Sequence, residues 1–361
     1  MEKANMTVLS EKNDSTTIIS TTHSLVAISP LNLAVAIFIL VSFLVGTLIN
    51  GLCLWVLGMK MKRTVNTLWF LHLILTYVVS SSYIPFLAVY SLLGFHWVFG
   101  IVMCKAVNFF GSLGMFTTIF LLTIVSLDRY FLIHHPVWSQ YNRTISRAQR
   151  MIVVVWLTSF ILSVPYLAFR ETRVVEKSRI ECVNNYALSG DWEDPGIEAL
   201  RDHVHLTLFL VRFLLAFLIP FCIIMACYCG MGREIKKKKL VRNRKPVSVL
   251  VASVASFFVC WLPYHLYYAS LLFKVGPDRL RLTLRVILFI TMCFNFWVTP
   301  VLYLFVGERF QQVCKTSILA LLKKAFVGIS IAPEDDGSAD DEGHLNNNQS
   351  NLEEGNHLPS L

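Results

Sequence analysis

The sequence predicts an all-α membrane protein: a bundle of seven transmembrane helices with a short amphipathic helix after the seventh. Three observations carry this. Of 361 residues, 55% are hydrophobic and only 15% are charged, whereas a soluble domain carries about 25% charged residues. The apolar residues gather into seven runs, at 33–57, 65–93, 101–134, 147–168, 203–234, 244–273 and 281–306. Each is long enough to cross about 30 Å of hydrocarbon, which takes roughly 20 residues. Finally, the basic residues fall in alternate loops.

In chain order, residues 1–32 form a polar tail rich in Ser and Thr, with sequons at Asn5 and Asn13 that are plausible glycan sites. It shows no basic start followed by an apolar core, so the first span is expected to act as the insertion signal. Lys60, Lys62 and Arg63 follow span 1, Arg143, Arg147 and Arg150 follow span 3, and Arg233 through Lys245 follow span 5. The other loops are mixed in sign. The positive-inside rule therefore places the basic loops in the cytoplasm and the N-terminus outside, in a multi-pass plasma-membrane protein. The sequons at Asn142 and Asn348 then lie inside, out of reach of glycosylation. Span 3 closes on Asp128-Arg129-Tyr130, where a buried Arg is costly and must meet a membrane boundary or a protein interior. Pro220, Pro263 and Pro300 fall inside spans 5, 6 and 7, each removing a backbone hydrogen bond and permitting a kink. Trp261 sits two residues before Pro263, where a large ring can couple side-chain packing to the hinge. Residues 307–326 alternate apolar and basic residues, as a helix on the inner leaflet does. Residues 327–361 carry eight acids and no Lys or Arg, the composition of a disordered acidic cytoplasmic tail.

Of nine cysteines, only Cys104 and Cys182 lie on the oxidising side, so they are expected to form a disulfide closing the long outer loop over the bundle mouth. Cys314, just past span 7, is either a palmitoylation site or a free thiol. No zinc-protease motif, phosphate loop or nucleophile elbow occurs, which argues against an enzyme, a cofactor or a metal site. The Lys236–Lys239 run joins two membrane spans and is not a nucleic-acid patch. No inverted repeat of broken spans marks a transporter.

Together, Gly46-Thr-Leu-Ile-Asn50, Trp97-Val-Phe-Gly100 before Cys104, Asp128-Arg129-Tyr130, Trp156, Pro220 with Tyr228, Cys260-Trp261-Leu-Pro263 and Pro300-Val-Leu-Tyr303 occur in one order. In these the chain resembles a class A, rhodopsin-like G-protein-coupled receptor over about residues 33–325. Thr64 through His72, His135-Pro-Val-Trp-Ser139, Pro165 through Thr172 and Arg212 through Pro220 are similar to the chemoattractant group of formyl-peptide, chemerin and prostaglandin D2 receptors. The resemblance implies a switch in which Trp261 and the Pro263 hinge move span 6 and free Arg129 from Asp128, with Tyr130, Tyr228, Pro300 and Tyr303 in support. It also implies an inhibitory-type heterotrimeric G protein as partner, with arrestin as a second. Some positions depart from the family: Tyr77 and Gly114 stand where relatives hold a sodium ion, and Thr299 stands where an Asn precedes the span-7 Pro. No partner for Arg129 beyond Asp128 is apparent. The alternative reading is a decoy-like receptor of the same fold that binds ligand without signalling.

The ligand-binding candidates lie in the outer half of the bundle. Arg212, eight residues before Pro220, has no acidic neighbour in the sequence, and an unpaired buried guanidinium wants an anion. The resemblance agrees, since chemoattractant relatives carry a base there. An anionic peptide or lipid mediator is therefore expected. Arg285 and Arg170 either join that site or snorkel to headgroups, nearer water than Arg212. Ser112, Met115, Phe116, Trp261, Tyr264, His265 and Tyr268 are expected to wall the pocket.

Overall fold

The computed structural model describes residues 29–175, 179–186, 198–237 and 244–306, with Gln312, Val313, Lys315, Thr316 and Leu319 beyond them. Asn5, Asn13, Cys314 and almost all of the expected amphipathic helix and acidic tail lie outside these residues. The chain divides into two units, Met1–Cys314 and Lys315–Leu361. The first holds the bundle. Of the second, only Lys315, Thr316 and Leu319 are described, and all three are helical.

Among the described residues, seven helical stretches are long and apolar enough to cross a membrane. The first is α1, Pro30–Trp55, which runs into a π turn at Val56–Lys60. The second is broken into α2, Val65–Ser81, and α3, Ile84–Leu92. The apolar run at 65–93 is therefore not one continuous helix. Pro85, in the first turn of α3, has no N–H to offer the carbonyl four residues back, and serines just before it offer hydroxyls to backbone carbonyls instead. Ser81 and Ser82 do this, bonding Val78 O at 2.7 Å and Val79 O at 2.8 Å. Next come α4, Gly100–His134, and a short α5, Pro136–Asn142, followed by α6, Ile145–Phe169, which contains Pro165. A hairpin of β1, Arg170–Val175, and β2, Arg179–Asn184, pairs Thr172 with Cys182. The fifth span is α7, Glu198–Phe213, a π turn at Leu214–Leu218, and α8, Ile219–Lys237. The π turn falls where Pro220 leaves a carbonyl without its usual donor, so the extra residue per turn absorbs the defect. The last two are α9, Arg244–Leu272, and α10, Asp278–Val306.

The long α4 packs against α2, α6 and α8 and forms the axis of the bundle. Local chemistry fixes the helix starts. Thr64 caps α2 by accepting from Thr67 N at 3.2 Å, and Thr144 caps α6 through Arg147 N at 3.4 Å. Asn50 ties α1 to α10, donating to Gly46 O at 2.8 Å and Phe296 O at 3.0 Å. Gly46 is needed there, because a Cβ would overlap the Phe296 ring. The Cys104–Cys182 disulfide anchors the hairpin to α4, with the two Cα atoms 5.7 Å apart. Trp97 N and His96 Nδ1 hold β2 further, at 2.8 Å to Ile180 O and 3.0 Å from Ile180 N. The hairpin therefore sits as a lid over one end of the helices.

Candidate functional site

At the hairpin end, two guanidinium groups are buried among phenols. Arg212 on α7 is 6% exposed. Its Nη1 donates to Tyr166 Oη and, at 2.9 Å, to Tyr264 Oη, and its guanidinium carbon lies 4.6 Å from the Tyr268 ring centre. Arg170, where α6 gives way to β1, is also 6% exposed. It donates to Tyr268 Oη at 2.8 Å and to Cys182 O at 3.3 Å. A third cation, Arg285 on α10, donates to Tyr267 Oη at 3.1 Å and lies 4.8 Å from the Phe95 ring centre. Phenol oxygens and ring faces can hold a guanidinium, but they do not neutralise it. Among the described residues, no carboxylate lies within ion-pair distance of these three. Glu181 is engaged with Arg179 at 2.8 Å, and Glu171 accepts from Asn185 at 2.6 Å. The Nε atoms of Arg170 and Arg212 are buried without an acceptor among the described residues.

Three cavities surround this cluster. The largest, about 240 Å³, lies under the hairpin and is lined by Arg170, Glu181, Tyr267, Tyr268 and Arg285. A central one of about 90 Å³ lies deeper, walled by Ser112, Met115, Tyr166, Trp261, Tyr264 and Tyr268. The two share Leu87, Val107, Asn108 and Tyr268, and so adjoin. The third, about 100 Å³, lies between α6 and α7 and is lined by Phe116, Tyr166, Leu208, Val211 and Arg212.

The far end of the bundle carries a second polar cluster. Both oxygens of Asp128 are taken by Arg143, at 2.8 and 3.1 Å, and Arg143 also reaches Asn66 Oδ1. Arg129 Nη2 donates to the same Asn66 oxygen at 2.7 Å. Ser126 bonds Tyr228 Oη at 3.3 Å, and Tyr130 stacks on His134 with ring centres 4.2 Å apart. Between the two ends, Trp261 packs on Phe257 and Tyr264, with ring centres 5.8 and 5.3 Å away.

Residues 49–303, which include both clusters, match the family described as 7 transmembrane receptor (rhodopsin family). The chain belongs to that family. It is 45% identical over 314 residues to Probable G-protein coupled receptor 33 of Pan paniscus, covering 87% of this chain and 93% of the relative. The Mus musculus protein of the same name is 47% identical over 296 residues, covering 82% and 87%. Chemerin-like receptor 1 of Bos taurus is 36% identical over 287 residues, covering 78% of each. The protein is therefore a multi-pass plasma-membrane receptor and not an enzyme, and its family implies a G protein and an extracellular ligand as partners.

The receptor gathers most of the residues singled out in the sequence, but not all into one pocket. Ser112, Met115, Trp261, Tyr264 and Tyr268 wall the central cavity. Phe116 and Arg212 line the cavity between α6 and α7 instead. His265 lines none of the three: it is buried between the Phe213 and Phe217 rings, 5.5 and 4.9 Å away, because one helical step turns it from Tyr264 toward α7. The headgroup reading of Arg170 and Arg285 does not hold, since both line the cavity under the hairpin. Nor is Arg170 nearer water than Arg212, because the hairpin folds back over it. Arg129, for which only Asp128 was foreseen, meets Asn66, while Asp128 meets Arg143. Tyr166 was missed altogether, although its place four residues before Arg170 on one helix face was a readable signal. Pro263 and Pro300 lie inside α9 and α10, and Tyr303 lies on α10 with its side chain outside the described set. Gly114 leaves room for Ser80, whose Oγ occupies the place a Cβ would take, and Tyr77 is buried beside it.

Proposed function

We propose that the receptor binds an anionic ligand, a peptide or lipid mediator bearing a carboxylate, at the hairpin end and signals through an inhibitory-type G protein. The observation that carries this is the pair of buried guanidinium groups, Arg170 and Arg212, held by phenols with no carboxylate in reach among the described residues. Burying a cation without a counter-ion is costly, and a carboxylate offers the fork-shaped partner it lacks. The similarity to a receptor named chemerin-like is consistent with a chemoattractant-type ligand. In this reading the N-terminus is extracellular, with glycans at Asn5 and Asn13. The basic residues at the opposite end then face the cytoplasm, with G protein and arrestin docking there.

The mechanism follows the contacts. A carboxylate near Tyr264 and Tyr268 disturbs the rings that pack on Trp261. Trp261 sits beside the Pro263 hinge, so α9 can swing outward at its far end. Arg129 then leaves Asn66 to pack beneath the G protein, while Arg143 keeps the charge of Asp128 satisfied. The second reading, a receptor that binds without signalling, is favoured by Tyr77 and Thr299, which replace polar groups of the family's switch.

Two measurements test the proposal. Losing one partner of a desolvated, bidentate pair costs about 2–5 kcal/mol, so Arg212→Ala should weaken binding of a carboxylate ligand roughly 30- to 4000-fold. Arg212→Lys should recover part of this. Equal affinity for an acid and its methyl ester, with Arg212→Ala harmless, refutes the anionic ligand. Paired G-protein and arrestin assays separate the two readings, with Arg129→Ala expected to abolish nucleotide exchange while leaving surface expression intact.

A further inference from the structure

Resting on the anionic-ligand reading, we infer that the carboxylate arrives from the bilayer: the pocket between α6 and α7 takes the head of a membrane-borne fatty-acid-class amphiphile. Arg212 lines this pocket and neither of the other two. Tyr166 is the partition, since it lines both the lateral pocket and the central cavity. A carboxylate in the central cavity meets Tyr166, Tyr264 and Tyr268 before it meets Arg212, because these rings enclose the guanidinium on that side. Of these three rings only Tyr166 lines the lateral pocket. The Nε of Arg212 is buried with no acceptor among the described residues, so a donor is still unspent on a residue that lines the pocket.

The rest of the lining chooses the class of ligand. Phe116, Leu162, Pro165, Leu208 and Val211 are apolar, and Asn184 and Tyr186 add polar atoms from the hairpin side. At the mouth, Ile161 is 67% and Val211 37% exposed, on helix faces that look outward from the bundle. In a membrane those faces meet acyl chains. The cavity of about 100 Å³ has room for a carboxylate and about two or three methylenes, since a water molecule claims about 30 Å³. The remainder of any larger ligand must leave through the mouth and lie along α6 and α7 in hydrocarbon. A peptide tail would carry amide groups into a region where nothing pairs them, whereas an alkyl chain is at home there. The shape and the single buried cation together fit a lipid acid.

The test uses the full receptor in phosphatidylcholine nanodiscs and a monounsaturated C18 fatty acid bearing a diazirine near its carboxylate. Irradiation should label segments containing Ile161–Tyr166 and Leu208–Arg212, saturably, with the methyl ester labelling at least 30-fold less. Leu208→Trp, which fills the pocket, should cut labelling tenfold or more. Val211→Trp, at the mouth, should do the same, and its outward side chain cannot disturb the core. Met292→Trp, which fills the central cavity from α10, should leave labelling unchanged. If Arg212→Gln abolishes labelling but both pocket-filling variants leave it intact, or if the label maps to Met115 and Tyr268, the bilayer route is overturned while the anionic ligand stands. If acid and ester label alike and Arg212→Gln changes nothing, both readings fall together.

Discussion

Replacing Arg143 by Gln should show that Asp128 is held by the segment joining α5 to α6. The two side chains meet through two parallel N–H···O bonds at 2.8 and 3.1 Å. Their exposures, 10% for Asp128 and 23% for Arg143, place the pair between two limits. An exposed pair contributes about 0–1 kcal/mol, and breaking a fully buried one costs about 3–5 kcal/mol. The intermediate burial and bidentate geometry argue for about 1–3 kcal/mol. A double-mutant cycle with Asp128→Asn and Arg143→Gln isolates that term, because the loss of the Arg143–Asn66 bond appears in both arms and cancels. The readout is the denaturant or thermal midpoint of purified receptor in nanodiscs. A coupling of about 1–3 kcal/mol is expected, shrinking modestly at high salt because the pair is only partly exposed. If the single changes add to within about 0.5 kcal/mol in the double variant, Asp128 and Arg143 do not stabilise each other and the clamp is not real.

Three further outcomes are expected. Cys104→Ser or Cys182→Ser should release the hairpin from α4. In the chain-entropy model, a bridge across 78 residues contributes about 4–5 kcal/mol, so a marked drop in the unfolding midpoint and poor surface delivery should follow. Gly114→Ala puts a methyl on Ser80 Oγ and should destabilise by about 1–3 kcal/mol. Adding Ser80→Gly should restore much of the loss, and a midpoint unmoved by Gly114→Ala would contradict the close approach of α2 to α4. The cavity between Tyr77 and Asn295 has no acid in its lining. The thermal midpoint in sodium chloride should therefore equal that in choline chloride at the same ionic strength, and a sodium-specific rise would show that a site exists there after all.

The seven spans and the Cys104–Cys182 pairing were legible in the sequence, the spans because they rest on local composition and the pairing because these two cysteines alone were placed on the oxidising side. Hydrocarbon imposes a minimum length on any apolar helix, and that length can be counted residue by residue. The break at Ser82–Tyr83 was legible too, had Pro85 been weighed with Pro220. The partners of the charges were another matter. Asp128 and Arg129 are neighbours in the chain, yet Arg143 and Asn66 take them, because a helix turns successive side chains about 100° apart and hands each to a different neighbouring segment. For the same reason Tyr264 and His265 part company, one to the central cavity and one to the Phe213–Phe217 face. The sequence by itself determined that Arg212 is a cation in an apolar span with no nearby acid. Only the tertiary arrangement, which puts Tyr166 on the lining of both cavities, decided that this cation lines a pocket at the side of the bundle and not the cavity at its centre.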